Sequence, residues 1–381
     1  MLVQAGARLE AAAAVNNIEK IVYFISICGV YIYIYIYMKQ RIVVVGTGWA
    51  SDRFLKEIDL SQYTVTVISP ADYFLYTPKL IYSAFSDYNP CFQLPITTSM
   101  QYIKDTVSDI MFEDNTVFTS NTSKPIYYDY LVFAHGGDVQ TFGVKGVEEH
   151  CICIKDLSST TLLKEQLVGE NKKVAVIGCG LAGTDIIGLL IDQKKHLPIA
   201  IDGMNKPLGT MHSSISRYVM DIWRDHDVKM YFGDFVNQVT DKEIYIGKEI
   251  KQSYDVAVWC GGIKPNTLTQ TVLARLHKQH KKGIPVDLFF KVQTLQNVYA
   301  IGDCADTEYY PTAQVASQQG RYLARYFNEQ FTSSAFHYKH KGTIGYIGGG
   351  ESIYQNGDFV VRGKIVTFVM PFVHFYTQWV S

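Results

Sequence analysis

Two short runs in this chain have the residue types and spacing needed to hold a diphosphate. The first is Gly46-Thr47-Gly48-Trp49-Ala50-Ser51 and the second is Gly178-Cys179-Gly180-Leu181-Ala182-Gly183. In such a turn the first glycine allows the tight reversal. The second lets the main chain approach a pyrophosphate, and the third lets helix and strand meet closely. The helix that follows offers free N–H groups and the positive end of its dipole to the anion. Ser51 stands in the third position of the first run and is small enough for the same packing.

The residue that ends the next strand separates the two runs. Beyond the second, a strand over residues 199–201 leads to Asp202, 19 residues past Gly183. That is near the distance expected for the acid that binds a ribose. A carboxylate there accepts from both ribose hydroxyls and repels a 2′-phosphate, which predicts NADH rather than NADPH. Beyond the first run the strand over residues 63–68 ends at Ser69, so a ribose there lacks a carboxylate partner.

The elements that position these turns follow from the flanking pattern. RIVVV over residues 41–45 precedes the first turn, and Phe54, Leu55, Ile58 and Leu60 recur after it at helical spacing. KVAVI over residues 173–177 precedes the second, with a helix expected through Leu189 and Leu190. Strand, glycine turn, helix and strand make a βαβ dinucleotide unit, and two copies 132 residues apart make an accidental match improbable. Two further apolar strands end in glycines: residues 128–137 (YDYLVFAHGG, with Gly136) and residues 254–262 (YDVAVWCGG, with Gly261 and Gly262). Glycines there suit a backbone passing close to a cofactor.

Residues 297–306 (NVYAIGDCAD) run from an apolar strand into Gly302-Asp303. This resembles the flavoproteins with two dinucleotide folds, and the resemblance implies that Asp303 lies by the ribityl and pyrophosphate of FAD. The expected fold is α/β, with two Rossmann-like dinucleotide-binding domains, the FAD domain carrying an inserted NADH domain. The expected boundaries are 1–37 for an apolar low-complexity extension, 38–155 and 285–330 for the two parts of the FAD domain, 156–284 for the NADH domain, and 331–381 for a C-terminal region.

Within that group the chain resembles the type II (non-proton-pumping) NADH:quinone oxidoreductases. The likeness rests on VGTGWAS over residues 45–51, SPADYFLYTPKL over 69–80, PTAQVASQQGRY over 311–322 and YKHKGTIGY over 338–346. It implies that Thr77 and Pro78 lie near the flavin. It also implies that Ala313, Gln314 and Gln318 form the quinone side, the two amides sharing one helical face four residues apart. Asp185 holds the place of a family glutamate on the nicotinamide side. The family has Arg-Asn where this chain has Ala71-Asp72, and residues 81–122 match poorly. The implied reaction passes a hydride from NADH to FAD and two electrons on to a quinone. The alternatives are an NADH oxidase or ferredoxin-reductase-like flavoprotein with another acceptor, a sulfide:quinone reductase, and a flavin-binding signalling protein with little turnover. The sulfide reaction needs cysteines flanking the flavin, and none follows Cys304 to partner Cys151 and Cys153.

Composition sets the remaining bounds. A net charge of −1 gives no nucleic-acid footprint. Seven scattered cysteines without a C-x-x-C, and histidines without ligand spacing, predict reduced thiols and no metal site. Residues 21–38 are apolar and barely long enough to cross a bilayer, but hold five tyrosines. They are read as a dispensable extension ahead of a natural start at Met38, with a signal anchor as the alternative. Residues 365–380 (IVTFVMPFVHFYTQWV) are expected to meet a membrane surface, with Pro371 breaking any long helix. The chain stops where the family continues into a membrane-binding segment. The aromatic stretch over residues 365–380 nevertheless makes association with the membrane face that meets the NADH pool the expectation, cytoplasmic or at the mitochondrial inner membrane, with a cytoplasmic location if the C-terminus does not anchor. A homodimer is left open.

Overall fold

The computed structural model describes residues 8–11, 20–27, 30–37, 39–277 and 282–379. Its frame is two five-stranded parallel sheets of the same plan. In the first, the spatial order is Val298–Ala300, Tyr130–Phe133, Gln40–Val45, Tyr63–Ser69 and Met100–Lys104. In the second it is Ile152–Cys153, Val256–Trp259, Lys173–Ile177, Leu197–Asp202 and Lys229–Phe232. Each glycine turn leaves the C-terminal end of its sheet's central strand, where open α/β sheets bind ligands. The central strands are apolar on both faces because both are covered: Ile42, Val43, Val44 and Val45 are buried, as are Val174, Ala175, Val176 and Ile177.

Helix α1 (Trp49–Glu57) follows the first turn and α2 (Leu181–Gln193) the second. Helix α3 (Ala313–Asn328) lies across α1 at close range. A Cβ on Gly320 would stand 2.0 Å from the Ala50 carbonyl oxygen, so glycine is required at that crossing. Phe54, Leu55, Leu323 and Phe327 from these helices close one face of the first sheet over Ile42 and Val44. At roughly 25 cal/mol per Å² of apolar surface, such burial is the main force holding the helices to the sheet.

Near the expected boundaries the two cores interleave along the chain: Val147 and Ile152 pack in the cores of the second sheet, while Val272 and Ile284 pack in a core of the first. Core membership is decided by strand pairing across more than 100 residues, as between Cys153 and Trp259, which local pattern does not encode. Residues 70–127, which include the poorly matching stretch, supply the edge strand Met100–Lys104 of the first sheet, a two-stranded ladder (Tyr73–Leu75 with Cys91–Gln93) and a three-stranded antiparallel sheet (Val107–Met111, Thr116–Thr119 and Thr122–Tyr127).

The C-terminal region is a three-stranded meander, Thr343–Gly348, Glu351–Asn356 and Phe359–Gly363, followed by helix α4 (Lys364–Trp379). The helix runs through Pro371 instead of breaking there. Proline removes one helical hydrogen bond, and buried Val366 and Met370 hold the preceding turns against the meander. Lys20–Ile27 and Val30–Tyr37 pair as antiparallel strands, so this part of the apolar extension is not a spanning helix. Alternating Ile and Tyr have the period of a strand, and both are strand formers. Residues 1–7, 12–19, 28, 29 and 38 lie outside the described residues. Among the described residues no helix is long and apolar enough to cross a membrane.

Candidate dinucleotide and acceptor sites

The two turns use one device. Gly46 has φ +108° and its Cβ would stand 2.4 Å from the Ala134 carbonyl oxygen; Gly178 has φ +96° and its Cβ would stand 2.5 Å from that of Cys260. Each first glycine is thus fixed by the end of the strand beside it, 130–133 or 256–259. The second glycines behave differently. A Cβ on Gly48 or Gly180 would meet no atom within 4 Å. These are open approaches on the side where a pyrophosphate would lie. Gly136 and Gly262, both at positive φ, face open space in the same way. Gly261 instead lies against the Trp259 indole, its Cβ position 2.5 Å from Nε1. At the third position a Cβ on Gly183 would stand 1.9 Å from the Gly178 carbonyl oxygen, whereas Ser51 is accommodated fully buried.

Around the first turn, the Thr47 hydroxyl lies 3.1 Å from that of Ser69 and 3.3 Å from the Ala71 carbonyl oxygen. The Trp49 indole N–H donates to Thr77 Oγ1 at 2.9 Å, which ties the start of α1 to the Thr77–Lys79 turn containing Pro78. Rings of Phe74 and Tyr76 flank that tryptophan at 5.1 and 5.2 Å. Asp72 turns outward to Lys104 at 2.6 Å. Gly302 has φ +73° and sits 3.2 Å, measured from its would-be Cβ, from the Ala50 side chain. Its N–H donates to Gln319 Oε1 at 2.6 Å. Asp303 beside it is half-buried, and burial holds its carboxyl above the ordinary carboxylate value. The first-turn residues, Gly136 and Gly302-Asp303 therefore converge, and open space before Gly48 and Gly136 fits an extended dinucleotide such as FAD.

Around the second turn, Asp202 Oδ2 accepts the Cys179 N–H at 2.6 Å and Oδ1 accepts the Met204 N–H at 2.7 Å. The carboxylate is half-buried at the turn itself, oriented by two backbone amides. Asp185, in the first turns of α2, is half-buried. Its Oδ1 accepts the Tyr346 N–H at 2.8 Å, joining α2 to the meander. Burial pushes this carboxyl up to about 7, against the lowering effect of that hydrogen bond. It is therefore a group that can hold or release a proton near neutral pH, not a solvated helix-end acid.

Gln314 and Gln318 do share one face of α3, but their amides are occupied. Gln314 donates to the Gly342 carbonyl at 3.2 Å and accepts from the Tyr338 hydroxyl at 2.9 Å and the Lys341 N–H at 2.6 Å. Gln318 donates to the Lys339 carbonyl at 2.9 Å and accepts the Lys339 N–H at 3.0 Å. Within the family-like stretch 338–346 the strand begins only at Thr343; the preceding segment is held against α3 by these glutamines, not by a ladder. Ala313 is the first residue of α3, just after the Thr312 cap whose Oγ1 accepts the Val315 N–H at 3.2 Å.

Two residues escaped the sequence reading. Gln319 anchors Gly302 from one position along the helix, with no signal beyond its place in a Gln-Gln pair. His135 lies two residues past the strand Tyr130–Phe133, and its Nε2 lies 2.9 Å from Thr269 Oγ1. Burial lowers its imidazole to about 4, so it is neutral at pH 7.

Comparison with known proteins agrees with this geometry. A probable NADH dehydrogenase of Dictyostelium discoideum is 28% identical over 375 residues, covering 86% of this chain and 83% of that protein. A probable mitochondrial NADH-ubiquinone oxidoreductase of Schizosaccharomyces pombe is 27% identical and covers 76% of this chain and 62% of its own length. The chain thus spans less than two thirds of some curated relatives. The solved structure of NDH2 from Plasmodium falciparum in complex with NADH superposes with a TM-score of 0.83 at 21% identity, covering 90% of this chain and 95% of that one. Sulfide:quinone oxidoreductase from Aquifex aeolicus superposes at 0.75 and 17% identity, covering 89% and 91%, so the fold is shared across different reactions. The profile of the pyridine nucleotide-disulphide oxidoreductases matches residues 40–320. Two dinucleotide turns on two matching parallel sheets, together with that match, show that the chain belongs to the pyridine nucleotide-disulphide oxidoreductase family.

Proposed function

We propose that this chain is an FAD-dependent NADH dehydrogenase that delivers electrons to a quinone at a membrane surface. The carrying observation is the contrast between the two turns: a carboxylate, Asp202, bonded to the turn itself in one, and a pair of neutral hydroxyls, Thr47 and Ser69, in the other. Asp202 suits the ribose of NADH and repels a 2′-phosphate. The first turn, with Trp49, Thr77, Gly302 and Asp303, suits FAD. Bound FAD would supply the two-electron redox chemistry between NADH and quinone. The protein's part is position and electrostatics. Gly180 and Gly48 admit the pyrophosphates, Asp185 holds a proton beside the nicotinamide half of the site, and α3 closes the acceptor side.

The quinone assignment draws on the similarity to NADH-ubiquinone oxidoreductases and on the α3 face. Gln314 and Gln318 act there by fixing residues 338–342. The membrane assignment draws on α4. Ile365, Phe368, Val369 and Phe372 are exposed at spacing i, i+3, i+4 and i+7, one apolar face on a helix seated by Val366 and Met370.

The test is an anaerobic titration of the flavin-loaded protein. NADH should bleach the flavin, and a short-chain quinone should restore its colour. Absence of bleaching would sink the dehydrogenase assignment; bleaching without reoxidation by quinone would sink the acceptor alone. Flotation with anionic liposomes, lost in Phe368→Ser/Phe372→Ser, tests the membrane face.

A further inference from the structure

Asp185 and Asp192 lie two turns apart on one face of α2. Between them stands Gly188, and the Tyr346 ring lies over it: a Cβ on Gly188 would stand 3.0 Å from Tyr346 Cδ1. Tyr346 thereby spans the two acids. Its N–H donates to Asp185 Oδ1 at 2.8 Å, and its hydroxyl donates to Asp192 Oδ2. The turn after this strand closes the far end. The Gly349 N–H donates to Asp192 Oδ1 at 2.9 Å, and the Gly350 N–H donates to the Tyr346 hydroxyl at 3.0 Å. Gly348, Gly349 and Gly350 all have positive φ, the glycine conformation that lets the turn fold back onto this pair. Tyr346 is buried, whereas Asp192 is at the surface.

We infer that Tyr346 and Asp192 are positioning residues for Asp185: the phenol, anchored on Asp192, fixes where the Tyr346 N–H meets the Asp185 carboxylate, and so how readily that group parts with its proton. The inference deepens the reading of Asp185 as the acid that holds a proton beside the nicotinamide, and rests on it. An amide hydrogen bond favours the charged form of a carboxylate. Here it opposes burial, which pushes the group up to about 7. Two other titratable groups face Asp185: Tyr82, on the short helix Tyr82–Phe85, and Cys260, just past the strand Val256–Trp259. Burial raises both, Cys260 to about 12, so both are uncharged where Asp185 titrates. Burial and the bond to Asp192 hold the Tyr346 phenol above its ordinary value, so it stays a donor over that range. The lever on the Asp185 proton is thus the placement of the Tyr346 amide.

The test follows the Asp185 carboxyl by NMR in the flavin-loaded full chain labelled at its aspartate carboxyls, the signal being the one lost in Asp185→Asn. Tyr346→Phe keeps the ring over Gly188 and removes the hydroxyl. It should raise the Asp185 titration midpoint by about half a pH unit or more. Asp192→Asn should move it the same way and, lying at the surface, decides the matter should the buried variant not fold. Tyr218→Phe is the control: it removes a different hydroxyl bond to the meander, the one donated to Glu351 Oε2 at 2.8 Å, and should leave the midpoint in place. The pH limb of flavin reduction by NADH should move with the carboxyl. A midpoint that does not rise in Tyr346→Phe would overturn the inference, and so would an equal rise in Tyr218→Phe. A midpoint that rises while the rate profile stays put would leave the positioning role standing and overturn the part given to Asp185 in the reaction.

Discussion

Asp202 accepts the Cys179 N–H at 2.6 Å, and at the matching position of the first turn Ser69 meets Thr47 through hydroxyls 3.1 Å apart. The two turns thus share a backbone and differ in charge at one place. A negative group oriented by amides selects an unphosphorylated ribose; a pair of hydroxyls tolerates a ligand whose phosphates and ring contribute the affinity elsewhere. The assignment of the two sites to two different dinucleotides follows from this difference more than from the glycines they have in common.

Replacing Asp202 by Ala should raise the KM for NADH about tenfold or more and narrow the preference over NADPH, because the ribose loses a charge-assisted acceptor and a 2′-phosphate loses its repulsion. Steady-state rates with both nucleotides check this. An unchanged preference would mean that the ribose lies elsewhere.

The glycines of the second turn should separate stability from binding. Gly183→Ala forces a Cβ to 1.9 Å from the Gly178 carbonyl oxygen, and overpacking of this kind destabilises by about 1–3 kcal/mol. Gly180→Ala meets open space at an unstrained φ of −71°. It should leave the unfolding temperature unchanged and block NADH. Thermal unfolding and NADH titration of the two variants should therefore give opposite patterns.

These turns were legible in the sequence because a glycine turn is a local event: its φ, its helix and its flanking strand lie within 25 residues. The place of Asp202, at the end of the strand after the second turn, was legible for the same reason. What the glycines press against was not, since Ala134 and Cys260 reach Gly46 and Gly178 only after the chain has crossed the sheet. The shared face of Gln314 and Gln318 followed from helical spacing, but its occupant, the backbone of residues 338–342, depends on a return of the chain some 20 residues later.

If the glutamines fix a segment and do not themselves touch the acceptor, Gln314→Ala should speed hydrogen exchange at the amide of Lys341. Each such hydrogen bond contributes about 1 kcal/mol, so loss of the set should raise exchange several-fold and raise the quinone KM with it. A raised KM with unchanged exchange would favour direct contact between glutamine and quinone.

Asp185 should impose a pH dependence. Its carboxyl, pushed up to about 7 by burial, is protonated in the folded protein over a range where the unfolded chain has already lost that proton. The resulting stabilisation is full below about pH 4 and is lost as pH rises through about 7. Asp185→Asn should flatten that part of the stability profile, read by denaturant melts at pH 5 and pH 8. It should also remove any limb near pH 7 from the rate of flavin reduction by NADH.

Gly188 of α2 lies so near the Gly348 amide that an added Cβ would stand 2.6 Å from its nitrogen, and Asp185, one turn earlier, bonds the same strand at Tyr346. The meander is therefore geared to α2, and α4 rides on the meander. Displacing α2 against its sheet would carry the exposed apolar face of α4 with it, so the second glycine turn and that distant face are links of one mechanical chain.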